Sequence, residues 1–167
     1  MLFNSYSFLV FFPIVVIIYY LLPKKVSYLW LLAASYYFYM GWNAKYALLL
    51  LLSTTITYIS GILLQWMMDR HPDNVAAKKW IVAGSFASNL AILFFFKYFN
   101  FAVESLNAVL QHTSLPAVNS SLDVLLPVGI SFYTFQALGY TVDVYRGEIG
   151  AERNFFRYAL FVSFFPQ

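Results

Sequence analysis

The sequence predicts an all-α fold, a polytopic integral membrane protein of about six transmembrane helices with the last one truncated. Three observations carry this. Of 167 residues, 62% are hydrophobic and only 10% charged, whereas a soluble domain has about 25% charged residues. The mean hydropathy is +0.70, so a soluble fold of this size would lack the polar surface to cover its apolar content. The apolar residues also gather into runs approaching or reaching about 17–25 residues, the length that crosses a bilayer.

The first run, about Tyr6–Leu22, ends at Pro23-Lys24-Lys25. No basic residue precedes it and no small-residue cleavage site follows it, so it is expected to remain in the mature chain. The second, about Val26–Met40, is short, rich in aromatics and closed by Gly41. The tight Pro-Lys-Lys turn makes these two an antiparallel hairpin. The third run is about Tyr46–Trp66, followed by the polar stretch Asp69-Arg70-His71-Pro72-Asp73-Asn74. The fourth is about Trp80–Phe96, with room to continue past Lys97, and residues 111–123 read as a loop containing Pro116, Asn119 and Ser120. The fifth is Leu126–Asp143. The sixth opens near Asn154 and is still apolar at Phe165. Counted to Gln167 it has about 14 residues against the roughly 20 a span needs, which reads as a helix cut inside the membrane.

Charge sets the expected orientation. Lys24, Lys25, Arg70, Lys78, Lys79, Arg146, Arg153 and Arg157 fall after runs one, three and five, and only Lys45 and Lys97 fall on the other side. By the positive-inside rule the N-terminus is outside and the Arg146–Arg157 loop cytoplasmic, in a multi-pass protein of the cell (inner) membrane. The pI of about 9.0 then reflects cytoplasmic loops. Nucleic acid is not an expected partner, because the basic residues are scattered over loops instead of forming one patch. Trp30, Trp42, Trp66 and Trp80 read as an interfacial belt.

Small residues mark packing faces. Ser53, Thr57 and Gly61 recur at intervals of four on the third run, and Gly84 and Ser88 repeat that spacing on the fourth. Such intervals let helix backbones approach closely in lipid. No internal repeat stands out, which argues against an inverted-repeat transporter. The absence of cysteine removes disulfides, thiolate catalysis and Cys-ligated metals.

The most informative segment is Leu126–Asp143. On a helix, Gly129, Tyr133, Gln136, Tyr140 and Asp143 follow at spacings of three and four and form one polar stripe. Facing lipid, that stripe would leave an amide and a carboxylate without partners, at high cost. It is therefore expected to face other helices. It reads either as an interhelical hydrogen-bond network or as the lining of a substrate path, with Tyr133, Gln136, Tyr140 and Asp143 as candidates. Pro127 and Gly129 point to a broken helix start. Asp143 and Arg146 form an i, i+3 pair, read either as an interface anchor or as ligand binding. Arg146, Arg153 and Arg157 are candidates for contact with an anionic donor. His71 and His112 read as solvated loop residues. The carboxylates and serines are scattered, with no metal-ligand spacing, no phosphate loop and no triad. No catalytic or metal-ligating residue is assigned.

Leu126-Pro127-Val128-Gly129-Ile130-Ser131-Phe132-Tyr133-Thr134-Phe135-Gln136, Val142-Asp143-Val144-Tyr145-Arg146-Gly147 and Tyr158-Ala159-Leu160-Phe161-Val162-Ser163-Phe164-Phe165-Pro166-Gln167 resemble the membrane-bound O-acyltransferases, in particular the branch of alginate O-acetylation and teichoic-acid D-alanyl transfer. Met1-Leu2-Phe3-Asn4-Ser5, Phe8 and Tyr36-Tyr37-Phe38-Tyr39 also resemble that branch. The resemblance implies that residues 1–167 are the N-terminal part of a single acyltransferase domain of eleven or so helices. It implies transfer of an acyl group, acetyl in the alginate case, to hydroxyls of an extracytoplasmic polysaccharide. It also implies an acyl-CoA or acyl-carrier donor on the cytoplasmic side, no bound cofactor, a polysaccharide-modifying partner outside and the lipid bilayer around it. The family's catalytic histidine falls beyond Gln167, so the fragment alone is expected to be inactive. The other reading is a non-catalytic polytopic module, a transporter part or a scaffold for a partner acyltransferase.

Overall fold

The polar breaks of the sequence delimit helices, as expected. The computed structural model describes residues 5–41, 44–112 and 129–164. Among them the elements are α1 Tyr6–Leu21, α2 Ser27–Met40, α3 Ala44–Arg70, α4 Val75–His112, α5 Ile130–Arg146 and α6 Phe155–Ser163, with no strand.

Ser5 opens α1 by accepting a hydrogen bond from the Phe8 amide at 3.2 Å, which satisfies one of the donors that a helix start leaves free. The Pro23-Lys24-Lys25 turn folds α2 back on α1, with the Val26 amide bonded to the Pro23 carbonyl at 2.9 Å. Val15, Ala34 and Phe38 form the buried seam of this hairpin. Trp30 lies at the seam, its Nε1 donating to the Val15 carbonyl at 3.1 Å. Trp66 and Trp80 are exposed.

Helix α3 is the centre of the bundle and touches α2, α4, α5 and α6. Leu50, Thr54, Thr57 and Leu64 on it are fully buried. The stripe Ser53–Thr57–Gly61 does what its spacing predicts. Ser53 meets Asn89 of α4, Thr57 meets Tyr158 of α6 and Gly61 meets Tyr140 of α5. Several buried hydroxyls return to the carbonyl one turn back, as Thr54 does to Leu50 at 2.7 Å and Thr141 to Ala137 at 3.1 Å. That habit lets hydroxyls sit inside an apolar helix without an unmet bond. The small pair on α4 behaves differently: Gly84 and Ser88 are exposed, and the face used is Ser85 and Asn89, one residue on.

Ala47–Arg70 and Val75–Phe99 are long and apolar enough to cross a membrane. Helix α4 begins five residues before the expected Trp80, where Asn74 accepts from the Ala77 amide at 3.0 Å. It has 38 residues, about 57 Å at 1.5 Å per residue. The loop expected from residue 111 is corrected in part, since Gln111 and His112 still belong to α4. Residues 113–123, Leu126, Pro127 and Trp42 lie outside the described residues.

At its other end the chain also departs from expectation. Asn154 caps α6, its side chain accepting from the Phe156 and Arg157 amides. The helix has nine residues and closes at Phe164, whose ψ of 116° is not helical. Helix α6 therefore ends by a change of backbone conformation inside the described chain.

Candidate functional site

The polar stripe is assembled by α5. Gly129 has φ +80°, the left-handed region that favours glycine. It caps α5 and does not belong to the stripe itself. From there the three-and-four spacing carries Tyr133, Gln136 and Tyr140 inward, with Tyr133 4% and Tyr140 6% exposed. Phe132 and Phe135, on the other face, are exposed.

Tyr140 is the hub of a clasp. Its ring lies against Gly61, where a Cβ would fall 2.8 Å from Tyr140 Cε1, and 4.5 Å from the Tyr158 ring. Tyr158 donates to Thr57 Oγ1 at 2.7 Å, so α3, α5 and α6 meet at one aromatic contact. The Tyr140 hydroxyl accepts from the Glu152 amide at 2.9 Å. Beside it, Gln65 Oε1 accepts from the Ala151 amide at 3.2 Å, and Tyr58 donates to the Arg153 carbonyl at 2.6 Å. Three side chains from two helices thus hold the backbone of residues 151–153. Each bond meets a backbone group of a non-helical segment that would otherwise lack a partner.

Gln136 performs a second task. Its Nε2 donates to the Phe161 carbonyl at 2.8 Å, one of the carbonyls that the end of α6 leaves free. Three polar atoms near this face are unmatched. Tyr133 Oη, Gln136 Oε1 and Tyr36 Oη are buried and have no hydrogen-bond partner.

The candidates Asp143, Arg146, Arg153 and Arg157 separate. Asp143 and Arg146 do not pair. Gly147, at φ +74°, ends α5 and turns the chain back, so Arg146 meets Glu148 at 3.7 Å, with both side chains more than half exposed. The Asp143 carbonyl takes the Glu148 amide at 3.0 Å. Arg157 lies over the Tyr28 ring, 5.5 Å from its centroid, a cation–π contact that ties the start of α6 to the start of α2. Arg153 is exposed while its carbonyl is held by Tyr58. The arginines therefore ring one end of the bundle without converging on a single point. His71 is exposed, with its ring beside Trp66. Among the described residues no group of three His, Cys, Asp or Glu is placed to hold a metal.

Sequence reasoning missed Tyr58, Gln65, Glu152 and Tyr158. Gln65 carried a signal, as a lone amide in an apolar run, which in a membrane demands a partner. The aromatic partners carried none, because tyrosines are abundant throughout this chain.

No family model matches the chain, and no solved structure matches it. Curated proteins do. The probable alginate O-acetylase AlgI of Pseudomonas aeruginosa is 39% identical over 99% of this chain and 31% of its own length. The protein of the same name from Azotobacter vinelandii is 39% identical over 99% of this chain and 32% of its own length. A peptidoglycan O-acetyltransferase of Helicobacter pylori is 31% identical over 88% of this chain and 30% of its own length. The chain spans about a third of the length of the curated relatives it matches. The alignments run through nearly the whole chain, so the chain is similar throughout to about a third of each of these O-acetylases.

Proposed function

We propose that this chain is part of a membrane enzyme that transfers acetyl groups to hydroxyls of an extracytoplasmic polysaccharide. The observation that carries the reading is the similarity itself. It covers 99% of the chain in an alginate O-acetylase and 88% in a peptidoglycan O-acetyltransferase, proteins that act by name on different polymers but share O-acetylation. What a shared segment serves is then the acetyl-transfer machinery, not recognition of one polymer.

In this reading about six helices enter the cell membrane, the last of them incompletely, the N-terminus lies outside and the basic loops face the cytoplasm. The donor, an acyl-CoA or acyl carrier, approaches the arginine end. Arg157 is engaged with Tyr28 and Arg146 with Glu148, which leaves Arg153, presented by the clasp, as the freest of these three arginines to meet an anionic donor. The inward face of α5 lines the acyl path, with Tyr133, Gln136 and Tyr140 as its polar groups. The general base on the acceptor hydroxyl is a histidine outside this segment, so residues 1–167 alone are inactive. Restoring alginate O-acetylation in a bacterium lacking its own acetylase, with the intact reading frame that contains this segment, tests the proposal. Acetyl ester content of the secreted polymer should return. A polymer that stays unacetylated, with the protein present in the membrane, contradicts it.

A further inference from the structure

The connection between α5 and α6 is held more firmly than a surface segment needs. From Ala151 to Asn154 every residue has a backbone group bonded to a side chain. The amides of Ala151, Glu152 and Asn154 donate to Gln65 Oε1, Tyr140 Oη and Glu152 Oε1 at 2.9–3.2 Å, and the Arg153 carbonyl accepts from Tyr58 at 2.6 Å. The Tyr58 ring also lies edge-on to Phe155 at 5.2 Å and tilted against Tyr158 at 5.8 Å. One residue of α3 thus grips the chain at Arg153 and just beyond it. The α3–α4 connection is built differently: residues 69–76 are all exposed, and water meets the backbone groups of such a segment. Water would serve residues 151–154 equally well. Instead α3 and α5 commit two tyrosines and a glutamine to them.

What those side chains achieve beyond water is a fixed backbone. Of residues 151–155 only Arg153 is exposed, and its four neighbours are half-buried. The salt bridge among the described residues is Arg146–Glu148, so no carboxylate neutralises the Arg153 guanidinium. A guanidinium carried on a fixed backbone loses less freedom on binding than one on a loose loop, and its fork of N–H donors matches a phosphate bidentately. We propose that Tyr58 and Gln65 are positioning residues: by holding the backbone at residues 151 and 153 they aim Arg153 at a phosphate of the acyl donor, of the kind coenzyme A carries. The proposal rests on the donor reading above and adds to it two residues that do not touch the donor.

The test is a mutant cycle in the intact enzyme, with acetyl-CoA as the donor probe. Tyr58→Phe keeps the ring contacts and deletes only the hydroxyl. Arg153→Gln should raise the KM for acetyl-CoA about tenfold or more, and Tyr58→Phe about 3–10-fold with kcat unchanged. The double variant should have a KM no higher than Arg153→Gln alone, because Tyr58 acts through Arg153. An enzyme that does not take acetyl-CoA, or an unchanged KM in Arg153→Gln, overturns the donor reading and the proposal with it. A raised KM in Arg153→Gln but not in Tyr58→Phe, or two effects that multiply in the double variant, leaves the donor reading standing and overturns the positioning role. A Tyr58→Phe enzyme that loses only melting temperature and kcat does the same, since that is what a merely structural tyrosine produces. If Tyr58→Phe cannot be purified, Gln65→Leu goes through the same cycle with Arg153→Gln and must show the same rise and the same lack of additivity.

Discussion

Gly61 and Tyr140 are fitted to each other so closely that a single added carbon has no room. A Cβ at Gly61 would sit 2.8 Å from Cε1 and 3.0 Å from the hydroxyl of Tyr140. The tyrosine cannot swing aside freely, because its hydroxyl is bonded to the Glu152 amide and its ring packs on Tyr158. Close approach of α3 and α5 thus depends on a residue without a side chain, and the clasp depends on that approach.

Gly61→Ala should therefore destabilise the protein by about 1–3 kcal/mol, the usual cost of overpacking. Gly84→Ala is the matched control: its added Cβ meets nothing within 4 Å, and alanine is favoured over glycine in a helix by about 1 kcal/mol. Thermal melts in detergent should move in opposite directions for the two changes. Equal shifts would contradict the packing described here.

Removing the clasp should loosen one segment selectively. Tyr140→Phe deletes the acceptor of the Glu152 amide, and Gln65→Leu that of the Ala151 amide. A hydrogen bond between membrane helices is worth roughly 0.6–2 kcal/mol, so each amide should exchange with solvent about 3–30-fold faster. Hydrogen exchange resolved to residues 147–154 checks this, with α1 as the unaffected reference. Uniform acceleration throughout the chain would mean that Tyr140 supports the whole bundle instead.

Orientation is tested in intact cells. This cysteine-free chain accepts single cysteines at Asn74 and Asn119, and an impermeant thiol reagent should label only the Asn119→Cys variant. The eight-to-two division of basic residues predicts this result. Labelling of Asn74→Cys alone would invert the topology.

Membranes holding only residues 1–167 should transfer no acetyl group from labelled donor above a vector control. Turnover there would require a catalytic group within this segment, and Ser131, Tyr133 and Asp143 would be the residues to search.

Helical phase was legible wherever burial obeys the 3.6-residue period. Tyr133 and Tyr140 point inward and Phe135 outward because a carboxamide and phenols on one face demand company. Helix ends were less legible. Hydropathy finds where a helix crosses apolar surroundings, whereas Asn74 and Asn154 find where it starts. Residues 100–112 continue α4 with too many polar side chains to look like a span. The Asp143–Arg146 pairing failed because Gly147 reverses the chain and presents Glu148. Gly84 and Ser88 failed as a packing face because burial falls one residue on, on Ser85 and Asn89, where Asn89 meets Ser53 of α3. The clasp of residues 151–153 joins partners up to 95 positions apart, and no local pattern carries such information.

The account rests most heavily on the inward face of α5 serving transfer. Its direct measurement is acetyl transfer per folded molecule by the intact enzyme carrying Gln136→Leu or Tyr140→Phe, with Phe135→Leu as the outward-facing control. Leucine and phenylalanine preserve most of the bulk, so the polar groups alone are lost. A fall of tenfold or more in specific activity for the two inward variants, with the control unchanged, is the predicted result. Normal specific activity in both, with only abundance and melting temperature reduced, would make the stripe a packing network and contradict the proposed path.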